Sequence, residues 1–301
     1  MADGKTLPRS APLPRLRDVV ELLKPITWFP PMWAFLCGVV SADVPIASRW
    51  GFLMAGVVLS GPLVCGTSQA VNDWFDRHVD AINEPGRPIP SGRIAGRWGL
   101  AIAVAGTVLA ILVAQAIGPW VLGAALLGLA CAWAYSAPPL RLKASGLWGP
   151  AVVAATYEGL TWFTGASVML GGLPQRRTLA VLALYSVGAW GIMTLNDFKA
   201  VDGDRATGVR SLPATIGIAP AARISCLVMA VPQLAVMTLL WSDGHRIAAA
   251  VVAVLLAGQA VLMRRLLSDP LRHAPWYNAT GTSLYVLGMM ASALGLRGVG
   301  L

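Results

Sequence analysis

The run FLMAGVVLSGPLVCGTSQAV at positions 52–71 passes without a break into Asn72-Asp73-Trp74-Phe75-Asp76-Arg77-His78-Val79-Asp80. An apolar run of this length crosses roughly 30 Å of hydrocarbon as a helix. Carboxylates gathered at its end are costly beside lipid and imply a purpose. The pattern recurs where the run 178–196 ends in Asn196-Asp197-Phe198-Lys199-Ala200-Val201-Asp202-Gly203-Asp204. The chain has fourteen Asp and Glu, and Asp73, Asp76, Asp80, Glu84, Asp197, Asp202 and Asp204 make up half of them. The acidic residues are therefore concentrated in two places.

Working outward, about nine runs have membrane-spanning length: 26–42, 52–71, 98–117, 119–136, 148–171, 178–196, 222–241, 247–267 and 281–300. No β-type alternation competes with them. The expected fold is all-α, a polytopic membrane bundle of about nine transmembrane helices. A mean hydropathy of +0.65 agrees with that class. The expected organisation is a polar segment over 1–24, which has no signal-peptide pattern, and a single transmembrane domain over 25–301. Cys37, Cys65, Cys131 and Cys226 all fall inside apolar runs and read as small apolar fillers.

Orientation follows from the basic residues. With the N-terminus cytoplasmic, 18 of the 23 Lys and Arg fall on the cytoplasmic side. The net charge of +9 is then topological, and no nucleic-acid partner is expected. Both acidic clusters lie on the cytoplasmic side, after the second and sixth spans. They occupy corresponding places in two halves of the chain, which hints at an internal repeat.

On a helix Asn72, Asp76 and Asp80 project along one face, with Asp73 about 100° away. Like charges on one face repel unless cations lie between them. Oxygen ligand sets favour hard ions, and Mg²⁺ typically takes one or two carboxylates plus substrate phosphates. In the second cluster Asp197 and Asp204 share a face if the helix continues through Gly203. Arg77, Arg87, Arg141, Lys143, Lys199 and Arg205 lie near the clusters and suit phosphate oxygens. The residue pattern thus points to Mg²⁺ held against a diphosphate. Solvated loop acids are one competing reading. A transporter with an acidic vestibule is another, but it calls for ionisable groups deeper in the spans, where only Glu158 stands. Glu158 reads equally as a cavity residue or a buried structural acid.

Several strings carry a resemblance. Asn72-x-x-x-Asp76-x-x-x-Asp80 followed by RPIPSG at 87–92 resembles the first signature of the UbiA superfamily of intramembrane prenyltransferases. KPITWFPPMW at 24–33, the whole of 72–91, YSAPPLRLK at 135–143 and NDFKAVDGDR at 196–205 are more similar to its chlorophyll and bacteriochlorophyll synthase branch. The resemblance implies a central cavity capped by metal-binding loops. It also implies transfer of a geranylgeranyl or phytyl group from its diphosphate to the propionate of bacteriochlorophyllide.

On this resemblance the catalytic set would be Asn72, Asp76, Asp80, Asp197, Lys199 and Asp204. Asp73, Asp76, Asp80, Asp197, Asp202 and Asp204 would hold Mg²⁺, and Tyr135, Glu158 and Trp162 would line the substrate cavity. Ala200 departs from the superfamily's second signature, which has two Asp four apart, and shifts the metal load to Asp197, Asp202 or both. The implied setting is a bacterial inner (intracytoplasmic photosynthetic) membrane with the site on its cytoplasmic side. Pigment-biosynthesis or light-harvesting assembly proteins are implied as partners. The same superfamily leaves open a quinone precursor or haem as acceptor, and a non-catalytic role in pigment assembly is a further alternative.

Overall fold

The computed structural model describes residues 12–297; positions 1–11 of the N-terminal segment and 298–301 at the end of the last expected span lie outside the described residues. The regular structure is helical apart from one isolated parallel bridge, Ser145 to Arg210. The helices are α1 (Leu16–Leu22), α2 (Phe29–Ser41), α3 (Trp50–Val58), α4 (Gly66–Asn83), α5 (Trp98–Ile117), α6 (Pro119–Ser136), α7 (Trp148–Ala154) and α8 (Thr161–Leu170). They continue with α9 (Arg176–Leu195), α10 (Val201–Thr207), α11 (Leu212–Ile216), α12 (Ile218–Ser242), α13 (Arg246–Ser268) and α14 (Pro270–Leu296). Two widened π-helical segments, Leu59–Cys65 and Ala155–Leu160, join α3 to α4 and α7 to α8.

Seven helices among the described residues are long and apolar enough to cross a membrane. The chain is an integral membrane protein. Two of the nine expected runs take another form. The first begins with a 3₁₀ turn at Pro25–Thr27, leaving only 13 residues in α2. The run beginning at Trp148 is helical through α8, but Thr156, Tyr157 and Glu158 interrupt its apolar character. The spanning helices expose apolar side chains outward, among them Leu112, Leu227, Val254 and Val261, as a lipid-facing surface requires.

Without water to drive helices together, membrane bundles rely on close backbone approach. Here α2 and α8 meet at Gly38 and Gly165. A methyl group on either would collide with the facing backbone, at Trp162 O and Phe35 O respectively. The larger core cluster packs Trp162, Tyr185, Met229, Tyr277 and Tyr285 between α8, α9, α12 and α14. A second gathers Phe35, Leu59 and Leu129 around α2, α6 and the first π segment. These two cores leave a space between α4, α6 and the α7–α8 run.

Candidate functional site

The first acidic cluster lies within α4 and stays helical, so Asn72, Asp76 and Asp80 project along one side. Each carboxylate meets a cation. Asp76 pairs with Lys143 Nζ and lies 3.5 Å from Arg141 Nη2. Asp80 accepts from Arg87 Nη1 at 2.8 Å, and Arg87 also pairs with Glu84. Burial pulls the Lys143 ammonium below the usual lysine value, opposed by the adjacent Asp76 carboxylate. Asn72 Nδ2 donates to Ser136 Oγ at 3.3 Å, tying α4 to the end of α6.

Asp73 turns away from that stripe. It is fully buried, with Lys24 Nζ at 2.7 Å and Arg87 Nη1 at 3.3 Å from Oδ1, while Oδ2 has no partner. Arg77 also turns away. Its guanidinium lies 4.3 Å over the Trp74 ring and donates to Trp74 O.

Below Asp76 a cavity of about 250 Å³ opens between α4, α6 and the α7–α8 run. Its walls include Asn72, one turn before Asp76, and Tyr135, together with Leu59, Val64, Ala124, Gly128 and Leu160. A second pocket holds Lys143, Asp197, Lys199 and Asp204. Tyr135 and Val153 line both, so the two pockets adjoin.

The second cluster does not continue α9. A 3₁₀ turn at Asn196–Ala200 intervenes before α10, yet Asp197 and Asp204 still line one pocket. Asn196 Oδ1 accepts from Asn278 Nδ2 of α14 at 3.0 Å, bracing this turn. Asp202 is exposed and 3.9 Å from Arg205, and neither side chain lines the pocket.

The UbiA prenyltransferase family model matches residues 27–287, nearly the whole described chain. The chain belongs to the UbiA prenyltransferase family. It is 56% identical over 292 residues to the bacteriochlorophyll synthase 33 kDa chain of Cereibacter sphaeroides, covering 97% of this chain and 96% of the relative. It is 35% identical to a chloroplastic chlorophyll synthase of Oryza sativa, covering 91% of this chain and 75% of the relative. Among solved structures, a UbiA homolog from Archaeoglobus fulgidus bound to GPP and Mg²⁺ superposes with a TM-score of 0.75. That likeness, at 18% identity over 94% of this chain and 100% of the other, establishes the fold.

Two residues expected on the cavity of this UbiA-family chain lie elsewhere. Val153, Thr156, Tyr157, Leu160, Thr161 and Thr164 face the space, and Glu158 and Trp162, four apart on the opposite side, face the core. Trp162 donates Nε1 to Ser41 Oγ at 3.0 Å and stacks on Tyr185 with centroids 5.8 Å apart. Glu158 is buried, and its Oε2 has no partner.

No three carboxylate, imidazole or thiol groups among the described residues converge as a preformed metal cage. A hard ion that keeps its waters and shares a phosphate needs only one or two carboxylates. Asp76 and Asp80, partly accessible and already drawing cations, fit that demand better than buried Asp73. Sequence reasoning missed the Lys24–Asp73 ion pair and the Gln69–Tyr157 hydrogen bond. Lys24 sits in a polar terminal segment, and its contact with Asp73 is tertiary. Gln69, by contrast, precedes Asp76 by seven residues, which is a readable helical spacing.

Proposed function

We propose that this chain transfers a geranylgeranyl or phytyl group from its diphosphate to the propionate carboxylate of a bacteriochlorophyllide. One observation carries the reading: a largely apolar cavity reaches Asn72, one helical turn before the Asp76 carboxylate and its paired cations. That division matches an amphiphile with an isoprenoid tail and a diphosphate head. The positive-inside count supports a cytoplasmic mouth, in the inner photosynthetic membrane of a bacterium.

Arg141, Lys143 and Arg87 place positive charge around the leaving diphosphate, with Lys199 facing it from the second pocket. Mg²⁺ bound through Asp76 and Asp80, with Asp197 and Asp204 opposite, would supply further neutralisation of the phosphate oxygens. The bond between the allylic carbon and the diphosphate oxygen breaks, and its electron pair leaves with the diphosphate. A carboxylate oxygen of the acceptor then forms the ester bond. The acceptor carboxyl, with an ordinary pKa of about 4, arrives ionised, so no residue has to remove a proton. Tyr135, at the junction of the two spaces, offers a ring face to the developing allylic cation, worth ~0.5–2 kcal/mol. The apolar walls keep out water, which would otherwise capture that carbon.

The test is turnover of purified chain with bacteriochlorophyllide and each diphosphate, with products read by mass spectrometry. Asp76→Asn and Asp80→Asn should lose at least ~100-fold in kcat/KM and shift the Mg²⁺ dependence upward. Unchanged turnover and unchanged Mg²⁺ dependence in both would overturn the metal assignment. Absence of an ester product from the unaltered chain would overturn the reaction.

A further inference from the structure

The stripe on α4 does not stop at Asn72. Gln69 and Asp76 are two turns apart on the same face, which puts Gln69 ~10 Å deeper in the cavity. There Gln69 Nε2 donates to Tyr157 Oη at 3.3 Å, and Tyr157 Oη lies 3.3 Å from Cys65 Sγ. Cys65 Sγ in turn reaches Thr27 O at 3.4 Å. The Gln69 amide also hydrogen-bonds the Cys65 side chain, and Ser68 the Tyr157 hydroxyl, so the group forms one polar cluster. The Cys65 sulfur is a weak partner for the Tyr157 hydroxyl. Two neutral donors thus sit in a wall that an isoprenoid tail does not require.

On the esterification reading, on which this inference rests, the departing diphosphate covers its own face of the allylic carbon, so the nucleophile approaches from the opposite side. With the diphosphate at the Asp76 level, that side is the deeper one. A carboxylate entering this poorly hydrated space needs hydrogen-bond donors, or its desolvation is uncompensated. Lys or Arg there would satisfy it but would hold its electron pair back. No Lys, Arg or His is among the described residues lining this cavity. We infer that the Gln69 amide and the Tyr157 hydroxyl form the subsite for the acceptor's propionate carboxylate. They bind it with neutral donors and leave an oxygen lone pair free to attack the allylic carbon.

The experiment compares binding of bacteriochlorophyllide and its propionate methyl ester to the full-length chain, read by quenching of tryptophan fluorescence. The unaltered chain should prefer the free acid by about tenfold, the size of one charge-assisted hydrogen bond. Tyr157→Phe and Gln69→Leu should reduce that preference towards unity while leaving diphosphate affinity unchanged. Gln69→Glu keeps the shape, adds a repelling charge, and should favour the ester. Thermal midpoints identify any variant that misfolds, and the remaining two then decide. Preference for the free acid retained in every folded variant overturns the subsite. Failure of the unaltered chain to make ester overturns the esterification reading instead, so the two failures are separable.

Discussion

Lys24 Nζ lies 2.7 Å from Asp73 Oδ1, joining the entrance of the first membrane segment to the middle of α4 through a carboxylate with no exposure at all. Lys24 adopts a left-handed backbone conformation, φ 48°, which swings its side chain under α4. Arg87 reaches the same oxygen at 3.3 Å and continues to Asp80. Asp73 is thereby an anchor for two cations, one of which also pairs with Asp80 of the charged stripe.

Asp73→Ala should therefore act on stability first. It leaves Lys24 and Arg87 without their buried partner, a class of change that costs about 3–5 kcal/mol and somewhat less here because both cations are partly exposed. The thermal midpoint in detergent should fall by several degrees, and Lys24→Met should fall less. A variant with an unchanged midpoint and weakened Mg²⁺ affinity would restore Asp73 to the metal ligands.

A second clamp involves α1. Arg93 Nη1 lies 2.7 Å from Asp18 Oδ1, and Arg93 forms a two-pronged contact with Glu21. The Arg93 hydrogen bond lowers the Glu21 pKa below the usual glutamate value. A depressed carboxyl contributes its stabilisation above the usual value and loses it as pH falls through the folded-state value. Hydrogen-exchange protection over Leu16–Leu22, corrected for the intrinsic pH dependence of exchange, should be high at neutral pH and fall below the usual glutamate range. Arg93→Ala should give the fast exchange at neutral pH. Equal protection in both proteins at all pH values would show that α1 is held by its apolar contacts alone.

The bundle and the first cluster were legible because each rests on a local rule. Hydropathy over a span's length identifies a membrane helix, and the i, i+4, i+8 spacing of Asn72, Asp76 and Asp80 needs only that the helix continue. The second cluster was harder. The helical register assumed across Asn196–Asp204 is broken by a 3₁₀ turn, and Asp197 and Asp204 still share a pocket while Asp202 turns to solvent. The Lys24–Asp73 pair joins segments 49 residues apart, a tertiary contact for which one sequence has no signal.

Glu158 and Trp162 illustrate the same limit. Trp162, and Glu158 on one of its two sequence readings, are expected on the cavity, yet both lie on the face of the α7–α8 run that packs on α2 and α9. Trp162→Ala should cost about 3–5 kcal/mol through the void it leaves, while specific activity per folded molecule stays close to normal. Glu158→Gln removes a buried carboxyl whose Oε2 has no partner, so the midpoint should hold or rise with activity retained. A large loss of kcat in folded Glu158→Gln would return that residue to the reaction.

The two loops that present the charged residues are held together at one point. Gly146 N donates to Arg210 O at 2.7 Å and Arg210 N to Ala144 O at 3.1 Å. The first loop carries Arg141 and Lys143, and the second follows Asp204. A Cβ at Gly146 would collide with Arg210 O and Leu212 N, both backbone atoms that cannot rotate aside. Gly146→Ala must therefore part the loops, moving Lys143 relative to Asp197 and Lys199 while leaving the membrane helices intact. The expected signature is a KM for the diphosphate raised by at least ~10-fold with a modest fall in midpoint, the loss of roughly one charge-assisted contact. Gly123→Ala on α6, where nothing stands within 4 Å, is the control and should change neither quantity. Identical kinetics for the two variants would mean that the loop pairing does not set the geometry of the charged mouth.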